Sequence, residues 1–214
     1  AQALAQASEA GLVWQPSKSK LFAPPDAVIP EHIDKWLKDN GIQVERESID
    51  ILGATLSRNG ECVKQAALER IRKYEDFFAA IRDDHFTVKE QLLLISKCGV
   101  PRGNYVMRTT EPIHATAAAA EMTRMVQDAV LHSADIDRSE LTESATASAQ
   151  LTLPIRLGGV GATDFCEVSP AAWVSSAAAA RELIEELVPA EEQNTQAFMD
   201  VSRDACQRLR DAAP

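Results

Sequence analysis

The residues of this chain that could do chemistry are few, and most stand in short basic or glycine-bearing runs. Lys18 and Lys20 lie in GLVWQPSKSKLF, Gly11 to Phe22, where by themselves they read as surface lysines in a Ser-rich loop. Ser17 and Ser19 have no neighbouring His or Asp to activate them, so this run offers no nucleophile. Arg102, Tyr105 and Arg108 could supply phosphate or stacking contacts; equally, Tyr105 could be core and the arginines its solvated rim. The paired acids Asp83-Asp84 invite a metal reading, but Ala80-Ile81-Arg82 precedes them where a metal-binding hairpin would need an aromatic residue and a strand. They read as a solvated helix end.

Other chemistries are poorly served. His32, His85, His114 and His132 show no HxxxH or HExxH spacing. Cys62, Cys98, Cys166 and Cys206 show no CxxC pair, which argues against a zinc site or a disulfide framework and fits a reducing environment. Gly158 to Gly161 lacks both a preceding strand and GxGxxG spacing, so it is no dinucleotide fingerprint. The formal net charge of −10 opposes strong autonomous nucleic-acid binding, since phosphate contacts need cations that displace counterions. Basic residues nevertheless gather at Lys18, Lys20, Arg70, Arg72 and Lys73, and again at Lys97, Arg102 and Arg108.

The elements that must position these residues can be read in order. Residues 1–10, rich in Ala and Gln, read as the tail of a helix stopped by Gly11, followed by a short strand at Leu12 to Trp14. The opening without Met, already helical in character, reads as a piece of a longer protein. Ile33, Trp36 and Leu37 after Pro30 predict a helix closed by Asn40-Gly41. Ile42 to Val44 and Ile49 to Leu52 predict two strands, a hairpin or adjacent pair, ending at the turn Arg58-Asn59-Gly60.

From Val63 the apolar period lengthens. Ala67, Ile71, Tyr74, Phe77, Phe78 and Ile81 predict one amphipathic helix. Thr87 and Glu90 predict a capping box at the start of another, running to Gly99 and stopped by Pro101. Met122, Met125, Val126 and Val130 form the packing face of a third, Ile113 to Leu131; Asp135 to Thr142 reads as a linker, and the Ala, Ser and Thr run to Gln150 has no clear preference. Leu153 to Gly161 predicts a tight turn, because glycines permit positive φ or close backbone approach. Ser169-Pro170 begins a further helix to Leu187, ended by Pro189, and a last helix covers Gln196 to Leu209.

In this order, several runs resemble those of retroelement reverse transcriptases of the non-LTR type. Gly11-Leu12-Val13-Trp14-Gln15-Pro16-Ser17-Lys18-Ser19 is similar to the segment that follows the catalytic aspartates, although Gln15 stands where the family carries Asn. Ile51-Leu52-Gly53 resembles the glycine hairpin called the primer grip. Gln91 to Leu94, Cys98 to Arg102, Tyr105, Arg108-Thr109 and Pro112 resemble a run found after the palm, as do Leu153 to Gly161 with Ala171 to Val174 after it.

The resemblance implies an α+β, mostly α chain: a small antiparallel sheet or hairpin remnant of a polymerase palm, followed by a helical thumb-like bundle. It divides the chain into a palm remnant with primer-grip hairpin over 1–60, a thumb-like region over 61–150 and a helical region over 151–214. It gives Lys18 a catalytic role near the pyrophosphate, and Leu52, Gly53, Arg102, Tyr105 and Arg108 contacts to primer and duplex. The Mg²⁺ ions of the parent enzyme would be held by aspartates upstream, so the chain itself binds none and is expected to be inactive alone. The expected partners are primer–template nucleic acid and the palm and fingers of the parent chain. No apolar run reaches the roughly 18 residues a spanning helix needs, so no membrane is expected. A non-catalytic helical protein-interaction module, favoured by the acidic balance and Ala-rich tracts, is the alternative.

Overall fold

In the computed structural model, residues 15–83, 85–139, 145–187 and 195–211 are described. Chain contacts divide it into two compact units, 1–62 and 63–214. The expected helix tail over 1–10 and strand at Leu12 to Trp14 lie outside the described residues, as does Pro189.

The first unit carries two small sheets. A 3₁₀ turn, Pro16–Lys18, leads into β1, Lys20–Phe22, which pairs in parallel with β2, Gln43–Glu45. Between these strands lies α1, Glu31–Asp39. Its exit is a Schellman ending: Gly41 at φ +68° donates to Lys38, Ile42 donates to Leu37, and the Asn40 side chain donates to the Trp36 carbonyl at 2.8 Å. Of its expected apolar face only Leu37 is buried, while Trp36 is half exposed.

The hairpin is β3, Ser48–Ile51, against β4, Ala54–Ser57, with Ile51 opposite Ala54. This corrects the sequence reading in two ways. The Ile42 to Val44 run pairs with the unforeseen β1, not with Ile49 to Leu52. The hairpin turn falls at Leu52-Gly53, while Arg58-Asn59-Gly60 leads directly into a helix.

The regular elements described in the second unit are all helices and helical turns. α2, Gly60–Arg72, begins at the boundary of the two units, and α3, Glu75–Ile81, follows after a break at Lys73-Tyr74 that divides the single helix expected here. α4, Val88–Leu94, opens on the expected capping box: the Thr87 amide donates to Glu90 Oε2 at 2.9 Å and the Glu90 amide donates back to Thr87 Oγ1 at 3.4 Å. The Thr87 hydrogen bonds hold the Glu90 carboxyl below its ordinary value.

The expected stop at Pro101 does not occur. A π turn, Ile95–Gly99, joins α4 to α5, Val100–Thr109, and Pro101 sits in the first turn of α5. A wider turn accommodates a residue that cannot donate to the preceding turn. α6, Pro112–Ser133, then runs through the middle of the core, and Met122, Met125, Val126 and Val130 are all buried as expected.

α7, Ala145–Thr152, forms from the Ala, Ser and Thr run, and a 3₁₀ turn, Ile155–Leu157, enters the glycine stretch. Gly158 and Gly161 take φ of +83° and +76°. A Cβ on Gly159 would lie 2.0 Å from the Leu153 carbonyl oxygen, so glycine is required there by contact.

α8, Phe165–Leu187, starts a turn earlier than Ser169-Pro170 suggests, with Pro170 inside it. The cause is a cap drawn from another helix. Asp164 Oδ1 accepts from the Cys166 amide at 2.8 Å, and Thr123 of α6 accepts from the Phe165 amide at 2.8 Å. Burial, then the Asp164 charge, pushes the Cys166 thiol above its ordinary value. α9, Thr195–Asp211, closes the described chain.

One apolar cluster holds the second unit together, from Ala67, Ile71 and Phe78 through Met107, Met122 and Val126 to Leu151 and Phe165. At Gly103 of α5 three helices pass close together. A Cβ there would lie 2.6 Å from Phe165 Cε1 and 2.9 Å from Met122 Cγ, so the absence of a side chain sets how near α8 and α6 approach.

Candidate nucleic-acid contact residues

Lys18, Leu52 and Gly53 belong to the first unit; Arg102, Tyr105 and Arg108 belong to the second. Lys18 ends the 3₁₀ turn and is exposed; the Ser19 hydroxyl donates to the Gln15 carbonyl at 3.2 Å and ties the turn together. Lys20, its neighbour in the basic run, is committed elsewhere. Its ammonium lies 2.7 Å from Glu45 on the paired strand, and that hydrogen bond and charge raise its affinity for the proton. The cationic run therefore presents Lys18 alone with its charge unspent by Glu45.

The hairpin tip has two residues of positive φ, Leu52 at +50° and Gly53 at +84°. That is the conformation of a two-residue hairpin loop, which matches strand twist but favours Asn, Asp or Gly. Leu52 occupies it with its side chain 93% exposed. Because a left-handed non-glycine residue costs about 1–2 kcal/mol, the tip stores strain while offering an apolar side chain to solvent.

On α5 the three expected contact residues share the exposed side of the helix, opposite Gly103, Val106 and Met107, which are buried. Arg102 has the best-defined surroundings. Its Cζ lies 4.3 Å from the centroid of the Phe77 ring and 5.4 Å from that of Tyr74. Tyr105, half exposed, accepts through its backbone carbonyl from the Thr109 hydroxyl at 2.9 Å, and Arg108 is exposed. Sequence reasoning took Tyr74 and Phe77 only for core residues. Their helical spacing signalled burial, and nothing local signalled that Arg102, beyond the π turn, would return to cover them.

Asp83 accepts from the backbone amide of His85 at 3.0 Å and bonds its ring, which holds the Asp83 carboxyl below its ordinary value. Asp84 lies outside the described residues. Among the described residues no group of three or more His, Cys, Asp or Glu side chains is arranged to hold a metal. Among them, too, no helix is long and apolar enough to cross a membrane.

No family model matches the chain, and neither a curated protein nor a solved structure matches it.

Proposed function

We propose that this chain is the C-terminal portion of a retroelement RNA-directed DNA polymerase, contributing a primer-grip hairpin and a duplex-binding helical region. In this reading Leu52 and Gly53 meet the primer end, Arg102, Tyr105 and Arg108 meet the duplex backbone, and Lys18 serves pyrophosphate departure in the complete enzyme. The observation that carries it is the hairpin turn. The Leu52-Gly53 pair that resembles the primer grip lies at the tip of a β-hairpin with both residues at positive φ, and a helical unit follows in sequence.

A second reading, a helical protein-interaction module, is favoured by a different observation. Leu92, Leu93, Val100, Ile155 and Val160 line an apolar groove in the second unit, with Leu93 and Ile155 54% and 78% exposed.

Titration of labelled primer–template between roughly 50 and 200 mM salt separates the two. The polymerase reading expects weak binding that falls steeply with salt and is reduced by Lys18→Ala and Arg102→Ala. A flat titration at every salt concentration favours the interaction module.

A further inference from the structure

Arg102 differs from Arg124, Arg138 and Arg203 in what holds it. Arg124 lies 2.6 Å from Glu121 and 2.9 Å from Asp128, Arg138 lies 2.8 Å from Asp128, and Arg203 lies 3.0 Å from Asp200. In each case a carboxylate takes the guanidinium donors and cancels the charge. Arg102 instead lies over Phe77 and Tyr74. Ring faces attract a cation without neutralising it, and a guanidinium over a ring keeps edge N–H groups for an oxyanion.

The rings under Arg102 are themselves held. Phe77 packs edge-on against Phe78, with centroids 5.4 Å apart and planes at 80°, and Phe78 is buried in the core. The π turn presses on the same pair. A Cβ on Gly99 would lie 3.0 Å from Phe78 Cε1 and 3.4 Å from Phe77 Cε1, so glycine there lets the backbone come close enough to lay Arg102 over the rings. A flexible side chain thereby starts from a restricted set of orientations, and less freedom is lost when it binds.

We propose that Tyr74 and Phe77 are positioning residues that hold Arg102 for a backbone phosphate of a bound primer–template. The inference rests on the nucleic-acid reading above and adds two residues that neither the motifs nor the charge pattern pointed to.

A double-mutant cycle on the full chain tests it, read as primer–template affinity against salt, with melting temperature and far-UV circular dichroism for each variant. Arg102→Ala is expected to weaken binding and lower the slope of log affinity against log salt by about 0.9, the loss of one phosphate contact. Phe77→Leu is expected to weaken binding by about threefold, Phe77→Tyr to keep wild-type affinity, and Phe77→Leu in the Arg102→Ala background to add nothing. If Phe77→Leu melts below the assay temperature, Tyr74→Leu, at the other ring under Arg102, supplies the same cycle.

Two results overturn the positioning role while leaving the nucleic-acid reading in place. One is an equal loss from Phe77→Leu with and without Arg102; the other is a loss from Arg102→Ala with none from either ring variant. Wild-type affinity and slope in Arg102→Ala likewise overturns the positioning role alone, whereas binding to vesicles containing phosphatidylinositol phosphates with no binding to primer–template overturns both.

Discussion

The two units reach order by different means. In the first, among the described residues, Ala23 and Leu37 are the buried apolar side chains, and the strands are three or four residues long. Its geometry is carried by local polar devices. Arg46 donates to the Pro24 and Ala27 carbonyls at 3.0 and 2.7 Å, the Ser57 hydroxyl donates to the Glu47 carbonyl at 2.5 Å, and Lys20 pairs with Glu45. The second unit is carried by a continuous core that spans α2 to α8. Burial is cooperative and spreads its effect over many residues, whereas a turn or an exposed ion pair acts only where it sits. The comparison therefore sets an order of resistance: the second unit opens last, and the hairpin exchanges its amides first.

The largest effect comes from breaking the core at the Gly103 crossing. Gly103→Val places methyl groups where even a Cβ would lie 2.6 Å from Phe165, and the expected loss is about 3 kcal/mol, at the upper end for overpacking. Urea unfolding followed by tryptophan fluorescence measures it; a midpoint within error of wild type would show that α5 does not pack as described.

A smaller effect sharpens the account of the first unit. Leu52→Asn relieves a left-handed leucine whose side chain packs on little, so it is expected to stabilise the hairpin by about 1 kcal/mol, seen as slower amide exchange in β3 and β4. The same change is expected to weaken primer–template binding, because the exposed apolar tip is lost. Stability and binding moving in opposite directions mark a residue kept for contact.

The smallest effect is at α4. Thr87→Ala is expected to cost about 1 kcal/mol at neutral pH, as loss of a helix cap does. Glu90 is held below its ordinary pKa of 4.5 by Thr87, so its contribution is complete above that pH and disappears as pH falls through the lowered folded-state value. The gap between wild type and Thr87→Ala, followed by thermal melts, is therefore expected to narrow in acid. A constant gap from pH 7 to about pH 3 would show that the capping box is not formed.

What could be read from the sequence follows the same division. The mostly helical α+β class, the capping box at Thr87 and the packing face Met122 to Val130 were legible because helical period and cap chemistry are local signals. Gly158 to Gly161 was legible as a turn, since glycine is the residue that positive φ and close approach demand. The hairpin register was not, because Leu52 is no turn former and its place at the tip depends on the pairing of Ile51 with Ala54. Nor was the start of α8: the donor–acceptor pair that moves it to Phe165 includes Thr123, 42 residues earlier. Proline misled twice: Pro101, read as a stop, sits in the first turn of α5, and Pro170, read as a helix start, lies inside α8. At the candidate site, single residues could be named, but the rings beneath Arg102 required contacts across α3 and α5.

The claim on which the functional account turns is that the hairpin tip and the exposed side of α5 touch nucleic acid. Photocrosslinking of a primer–template carrying thio-substituted bases near the primer end and along the duplex, followed by peptide mapping, reads those contacts directly. The account expects adducts in residues 48–57 and 100–109, suppressed by high salt. Adducts confined to other segments, or none at low salt, would contradict it.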